Sequence, residues 1–314
     1  MNKDIPKFDD IIVGNRGWDN DSFDSRLELP DRRNMYQNGW LTIELKVELR
    51  FRDSTNPLSA SDGMTQVGSN WFMTDGNKTR FSIIDWDYAS KAKFATGFQK
   101  VAEAAWNYRF TLMPPKEYGE FDYLDPSGVW IVRPNILCLF RLKLVRTVTS
   151  GYIRPLISAN DNPHAIVNVV RVPSENVSVS FKDGSFVLKK MHGHVFRSNS
   201  GLLTNFDVED LSHYTVMHEV GHLLGQPHIK CMGFRPLPVC SVDGSADETY
   251  GRGDHPEEHA NVMGGGDMLT AINAQPWMHR IREHTNYIRF KPTVSKPNPR
   301  SISVRYYTSG QREF

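Results

Sequence analysis

Between residues 218 and 228 the chain reads His-Glu-Val-Gly-His-Leu-Leu-Gly-Gln-Pro-His, three imidazoles and one carboxylate at spacings that suit a single metal ion. On a helix, His218 and His222 lie four residues apart and project from one face, so both rings reach one ion while Glu219 stands beside its open side. Gly225 allows the backbone to leave the helix in a conformation closed to other residues, which turns the chain so that His228 swings back as a third ligand. Three protein nitrogens leave a fourth tetrahedral position for water, the arrangement of a catalytic zinc. A plainer reading, an amphipathic helix carrying two histidines for packing or solvation, covers His218 and His222 but leaves Gly225 and His228 unexplained.

This pattern, His-Glu-x-x-His-x-x-Gly-x-x-His, resembles that of the metzincin clan of zinc endopeptidases, whose second hallmark is a tight turn carrying a methionine beneath the metal. Asn261-Val262-Met263-Gly264-Gly265-Gly266-Asp267 fits that turn, with Met263 as the base of the site; without the resemblance it reads as a flexible glycine loop. The likeness is specific over residues 207–267 and architectural elsewhere. Ile229, after the third histidine, matches no subfamily with well-defined substrates, and Gly265 stands where some members carry a tyrosine. A tyrosine donor at that position is therefore excluded, and no cysteine-switch motif precedes the domain.

The resemblance implies an α+β, two-lobed protease domain. A mixed twisted sheet with a backing helix and the active-site helix would form the upper lobe, and the methionine turn with a C-terminal helix a loop-rich lower lobe. The corresponding divisions are an N-terminal extension (1–38), an upper lobe (39–228), a lower lobe (229–290) and a tail (291–314). It also implies Zn2+ as cofactor, His218, His222 and His228 as ligands, Glu219 as general base, and Gly225 and Met263 as supports. The partner would be a protein or peptide substrate.

The elements that must position these residues are read from periodicity. Residues 1–38 show little, which predicts an irregular extension. Leu41, Ile43, Leu45, Val47, Leu49 and Phe51 alternate with polar neighbours, which predicts a strand with one buried face. Residues 53–79 read as an excursion, with a short strand at Arg80–Ile84. Phe94, Phe98, Val101, Ala105, Tyr108 and Leu112 recur at helical spacing up to Pro114-Pro115. Strands are expected at Leu137–Val148, Ala165–Val172 and Val177–Leu188, the last folded as a hairpin at Asp183-Gly184. That hairpin is a candidate substrate edge or equally a structural element. Asp207 is the expected N-cap of the zinc helix with Asp210 in its first turn, and Leu211, Tyr214, Val220 and Leu224 supply its apolar contacts. A final helix spans Ala271–His284, provided it begins at or just before Pro276, with Trp277 in the core. Lys291–Pro299 reads as a linker and Ile302–Tyr307 as a last strand.

Composition narrows the function classes. Thirty-seven basic against 36 acidic residues give a net charge of +1 over 314 residues, which leaves no electrostatic footprint for nucleic acid. Apolar runs are short, as in Ile136-Leu137-Cys138-Leu139-Phe140, so no transmembrane segment is expected. The polar first ten residues lack the apolar core of a secretory signal, which predicts export by another route or a signal already removed. A protease effector or toxin delivered by an injection or secretion machine, with that machinery or an inhibitor as partner, shares the same chemistry. The alternative from another class is a catalytically silent zinc-binding interaction module, which has no need of Glu219. Cys231 and Cys240 flank a proline-containing loop after the third ligand and either form a disulfide or stay free, whereas Cys138 lies in an apolar run and reads as core. His192, His194, His213, His255 and His259 are further histidines near the motif, each more simply a surface or core residue. Oligomeric state is not legible in the sequence.

Overall fold

Strict alternation from Leu41 to Arg52 can bury its apolar set only on one face of a sheet, and the fold is organised around that strand. The computed structural model describes residues 11, 23–29, 38–57, 64–74, 80–115, 118–124, 128–131, 134–145, 163–171, 195–198, 201–205, 213–226, 228, 260–264, 266, 268–285 and 293–294. In chain order these form β1 (Asp24–Glu28), β2 (Gly39–Arg52), β3 (Met64–Val67), β4 (Asn70–Thr74), β5 (Arg80–Ser82), α1 (Tyr88–Trp106), β6 (Thr111–Met113), β7 (Tyr123–Leu124), β8 (Trp130–Ile131), β9 (Ile136–Leu144), β10 (Ala165–Val170), β11 (Val195–Ser198), β12 (Gly201–Asn205), α2 (His213–Leu223), α3 (Gln275–Thr285) and β13 (Thr293–Val294). Among the described residues the fold is thus mixed α+β. It holds an eight-stranded sheet with both parallel and antiparallel pairs, two small antiparallel sheets and three α-helices. None of these helices is long and apolar enough to cross a membrane.

The chain forms two compact units, one of Leu45–Ala102 with Leu142–Glu219 and the other of Met1–Glu44, Glu103–Arg141 and Val220–Phe314. In the first, the later half of β2 pairs in parallel with β10, from Val47 opposite Ala165 to Arg52 opposite Val170. Next come β12, parallel to β10, and β11, antiparallel to β12. Val167, Val169 and Val170 of β10 are buried, and Asn168 between them is buried too, its Oδ1 accepting from Arg52 Nε at 2.8 Å. Phe94 and Phe98 of α1 lie in a buried aromatic cluster with Phe51 and Trp86, ring centroids 4.9 Å apart for Phe51–Trp86 and 5.8 Å for Trp86–Phe94. Such tilted ring pairs add attraction beyond the area they bury. The first turn of α1 is closed by Asp87, whose carboxylate accepts from Ser90 N at 2.8 Å and from Ser90 Oγ at 2.7 Å.

In the other unit, β1 runs antiparallel to the start of β2, Leu27 opposite Leu41, and β6 lies between β9 and β13 with antiparallel pairing to each. Trp277 of α3 is fully buried, its ring 6.3 Å from Trp106 and 5.5 Å from Phe110, while its indole N–H donates to Leu139 O at 3.0 Å. Burial of so large a ring without cost requires that donor to find a partner. Cys138 is buried as expected, and burial pushes its thiol well above the ordinary range.

Several expectations are corrected. Residues 1–38 include a paired strand, β1, because Leu27 and its neighbours align with β2 even though their own alternation is short. The helix ends at Trp106, not at Leu112. Tyr108 takes a positive φ of 57°, its N–H bonds Cys138 O at 3.1 Å, and Leu112 pairs with Ile136 in the sheet. The excursion at 53–79 contains the β3–β4 hairpin, turning at Gly68 with φ 63°. The expected linker 291–299 contributes β13. The C-terminal helix opens with a 3-10 turn, Ala271–Ala274, before α3, and Pro276 is the second α3 residue, where its missing N–H has no helical partner to lose. Outside the described residues lie the Val177–Leu188 hairpin, Asp207, Asp210, Leu211, Cys231, Cys240 and Ile302–Tyr307.

Candidate metal centre

Helix α2 buries Val216, Met217, Val220 and Leu224, a stripe that fixes its rotation and turns His218 and His222 to the opposite, half-buried side. The helix then stops in the way glycine permits. Gly225 has φ 80°, Gln226 N donates to Gly221 O at 3.0 Å, and Gly225 N donates to His222 O at 3.0 Å. These two bonds are the paired closure of a Schellman motif, which satisfies the last carbonyls and reverses the chain. Three residues later His228 arrives beside His222, ring centroids 4.8 Å apart and planes at 74°.

The metal-binding atoms of His218, His222 and His228 all lie within 4.8 Å of one another. This donor set fits a metal that takes imidazole nitrogen. Its geometry also settles one tautomer. His222 Nδ1 lies 2.7 Å from Gln226 O, and since a carbonyl only accepts, Nδ1 carries the proton in this contact and Nε2 is left available to a metal. Glu219 is 6% exposed, with Oε1 4.0 Å from His218 Nε2. A carboxylate so placed is beside the histidines without being one of their number.

Met263 is fully buried and packs against Gly221 of α2. A Cβ built at Gly221 would overlap the Met263 sulfur and lie 3.2 Å from Trp106 Cζ2, so the glycine inside the motif is what lets the methionine approach the helix. The Met263 turn is held by its own asparagine. Asn261 Oδ1 accepts from Met263 N at 2.8 Å, and Asn261 O accepts from Gly264 N at 2.8 Å and Gly266 N at 3.2 Å. Gly266 is similarly obligatory, since a Cβ there would enter the backbone of Ala260.

The structure therefore brings together His218, His222 and His228, with Glu219 alongside, Gly225 at the turn after α2 and Met263 against Gly221. His213 is the first residue of α2, and His192, His194, His255 and His259 lie outside the described residues. Sequence reasoning missed Gly221, Gln226, Asn261 and Asn273. Gly221 had a signal, a glycine inside a helix that otherwise favours larger residues. Comparison with protein-family models, with curated proteins and with solved structures finds no match to this chain.

Proposed function

We propose that this chain is a zinc-dependent endopeptidase of the metzincin type, hydrolysing peptide bonds of protein substrates. The observation that carries this reading is the convergence of three imidazoles within 4.8 Å beside the buried carboxylate of Glu219. A site with a structural role only has no use for that carboxylate. The glycine-terminated helix and the methionine packed against Gly221 support the same assignment. On this reading the sheet and α1 belong to an upper lobe, and the methionine turn with α3 to a lower one.

His218, His222 and His228 would hold zinc as neutral imidazoles, His222 through Nε2. When bound, zinc would supply the positive charge that acidifies a water and polarises the scissile carbonyl. Glu219 would take a proton from a water held beside it as the water oxygen attacks the carbonyl carbon. Glu219 would return that proton to the amide nitrogen as the C–N bond breaks, and the second proton of the water passes from the new carboxylic acid to the amine, leaving a carboxylate and an ammonium group. Burial of Glu219 keeps it aimed at one place and strengthens its interaction with charge developing there.

The test compares wild type with Glu219→Gln at matched zinc content on an unfolded protein such as casein. The expected result is cleavage by wild type, abolished by chelator and restored by zinc, with E219Q reduced by at least about a hundredfold. Equal zinc in both proteins with no cleavage of casein or of a broad peptide library by either would replace this reading with a silent zinc-binding module.

A further inference from the structure

Three buried carboxamides lie behind the metal centre, and the pattern of their hydrogen bonds gives them a job beyond packing. Gln226, Asn261 and Asn273 are each at most 2% exposed. Side chains of this kind are costly to bury unless nearly every donor and acceptor is met. Here they meet one another. Gln226 Nε2 donates to Asn273 O at 2.8 Å, and Asn273 Nδ2 donates back to Gln226 Oε1 at 3.0 Å. Asn261 Nδ2 donates to Asn273 Oδ1 at 2.9 Å and to Thr270 Oγ1 at 3.0 Å, and Thr270 N donates to Asn273 Oδ1 at 2.8 Å. Both ends of the chain return to the site. At one end the Gln226 carbonyl accepts from His222 Nδ1, and at the other Asn261 Oδ1 accepts from Met263 N.

We infer that the Gln226–Asn273–Asn261 network is a positioning device for the metal: it fixes the carbonyl that sets the His222 tautomer and locks that carbonyl to the methionine turn. This inference rests on the zinc reading above. The side chain of Gln226 is the tie. Without it the Gln226 carbonyl still exists, but the two-residue stretch between Gly225 and His228 has lost its anchor to the start of the C-terminal helix segment. Partners that orient a ligating histidine through its second nitrogen typically contribute tenfold to a hundredfold in metal affinity.

The experiment uses the full chain, with zinc affinity measured by competition against a chromophoric chelator and ligand geometry by visible absorption of the cobalt-substituted protein. Gln226→Met keeps the length of the side chain and removes its hydrogen bonds, and Asn273→Ala breaks the middle of the network. Both should fold, bind zinc about tenfold more weakly or worse, and shift the cobalt spectrum. Ser25→Ala, which removes the 3.0 Å contact to His284 on α3 and touches none of the network, should leave affinity and spectrum at wild-type values. Should either network variant fail to fold, Thr270→Val removes the hydroxyl that accepts from Asn261 Nδ2, donates to Asn273 Oδ1 at 3.3 Å and caps the 3-10 turn, and is read by the same two measurements, with a smaller shift in the same direction. Wild-type affinity and an unchanged spectrum in the folded network variants would overturn the inference and leave the carboxamides as packing. A wild-type chain that binds neither zinc nor cobalt would instead sink the zinc reading itself, and the inference with it.

Discussion

At the scale of single residues, the site depends on two glycines doing opposite things. Gly221 makes room, and Gly225 makes a turn. The second is the sharper test because its φ of 80° lies where a side chain is penalised by roughly 1–2 kcal/mol. Gly225→Ala should lower stability by about that amount, Gly225→Asn by less, and Gly225→Val by more, since asparagine tolerates the left-handed region and β-branched residues do not. Zinc affinity should fall in the same order, because His228 is positioned by the residues that follow this turn. Chemical denaturation with and without zinc checks both, and an alanine variant as stable and as tight-binding as wild type would rule out the turn as the determinant. The convergence of the three histidines, the place of Glu219 beside them and the turn at Gly225 were legible in the sequence because they follow from fixed short spacings. Gln226, Asn261 and Asn273 were not, because a carboxamide has no periodic signature and Gln226 meets Asn273 from 47 positions away.

At the scale of elements, α1 illustrates what local pattern can and cannot predict. Its start is governed by Asp87, whose carboxylate is held below the usual range chiefly by the backbone and side-chain hydrogen bonds from Ser90, with Arg171 nearby adding a smaller pull. A carboxyl whose folded pKa is depressed contributes stability above its unfolded value, near 3.8, and loses it as pH falls through the lower folded value. Asp87→Ala should therefore reduce the thermal midpoint at neutral pH, and the gap to wild type should close in strongly acidic solution below the ordinary carboxylate range. Circular dichroism melts across that interval test this, and a gap independent of pH would contradict it. The end of α1 was misread because apolar spacing continues through Tyr108 and Leu112, while the backbone breaks at a residue whose positive φ nothing local announces. Leu112 fits the helical rhythm and yet is claimed by Ile136 across the sheet. By contrast β2 was read nearly to its ends, since the strict alternation from Leu41 to Arg52 admits one solution. The short strands β1, β3 and β4 were lost because four or five residues carry too little period to compete with their polar surroundings.

At the scale of the whole molecule, the convergence of His218, His222 and His228 is the feature that most distinguishes the described residues of this chain. Its helix, turn and methionine loop draw on residues far apart in the sequence, so an ion that binds only the folded chain should also stabilise it, by about 2.7 kcal/mol at a hundred times its dissociation constant. The most direct measurement is the zinc content of the loaded and desalted chain together with its X-ray absorption spectrum at the zinc edge. The account predicts one zinc per chain, three imidazole nitrogens, and one further light atom at about 2.0–2.1 Å. A chain that retains no zinc, or a spectrum that requires sulfur at about 2.3 Å, would contradict it.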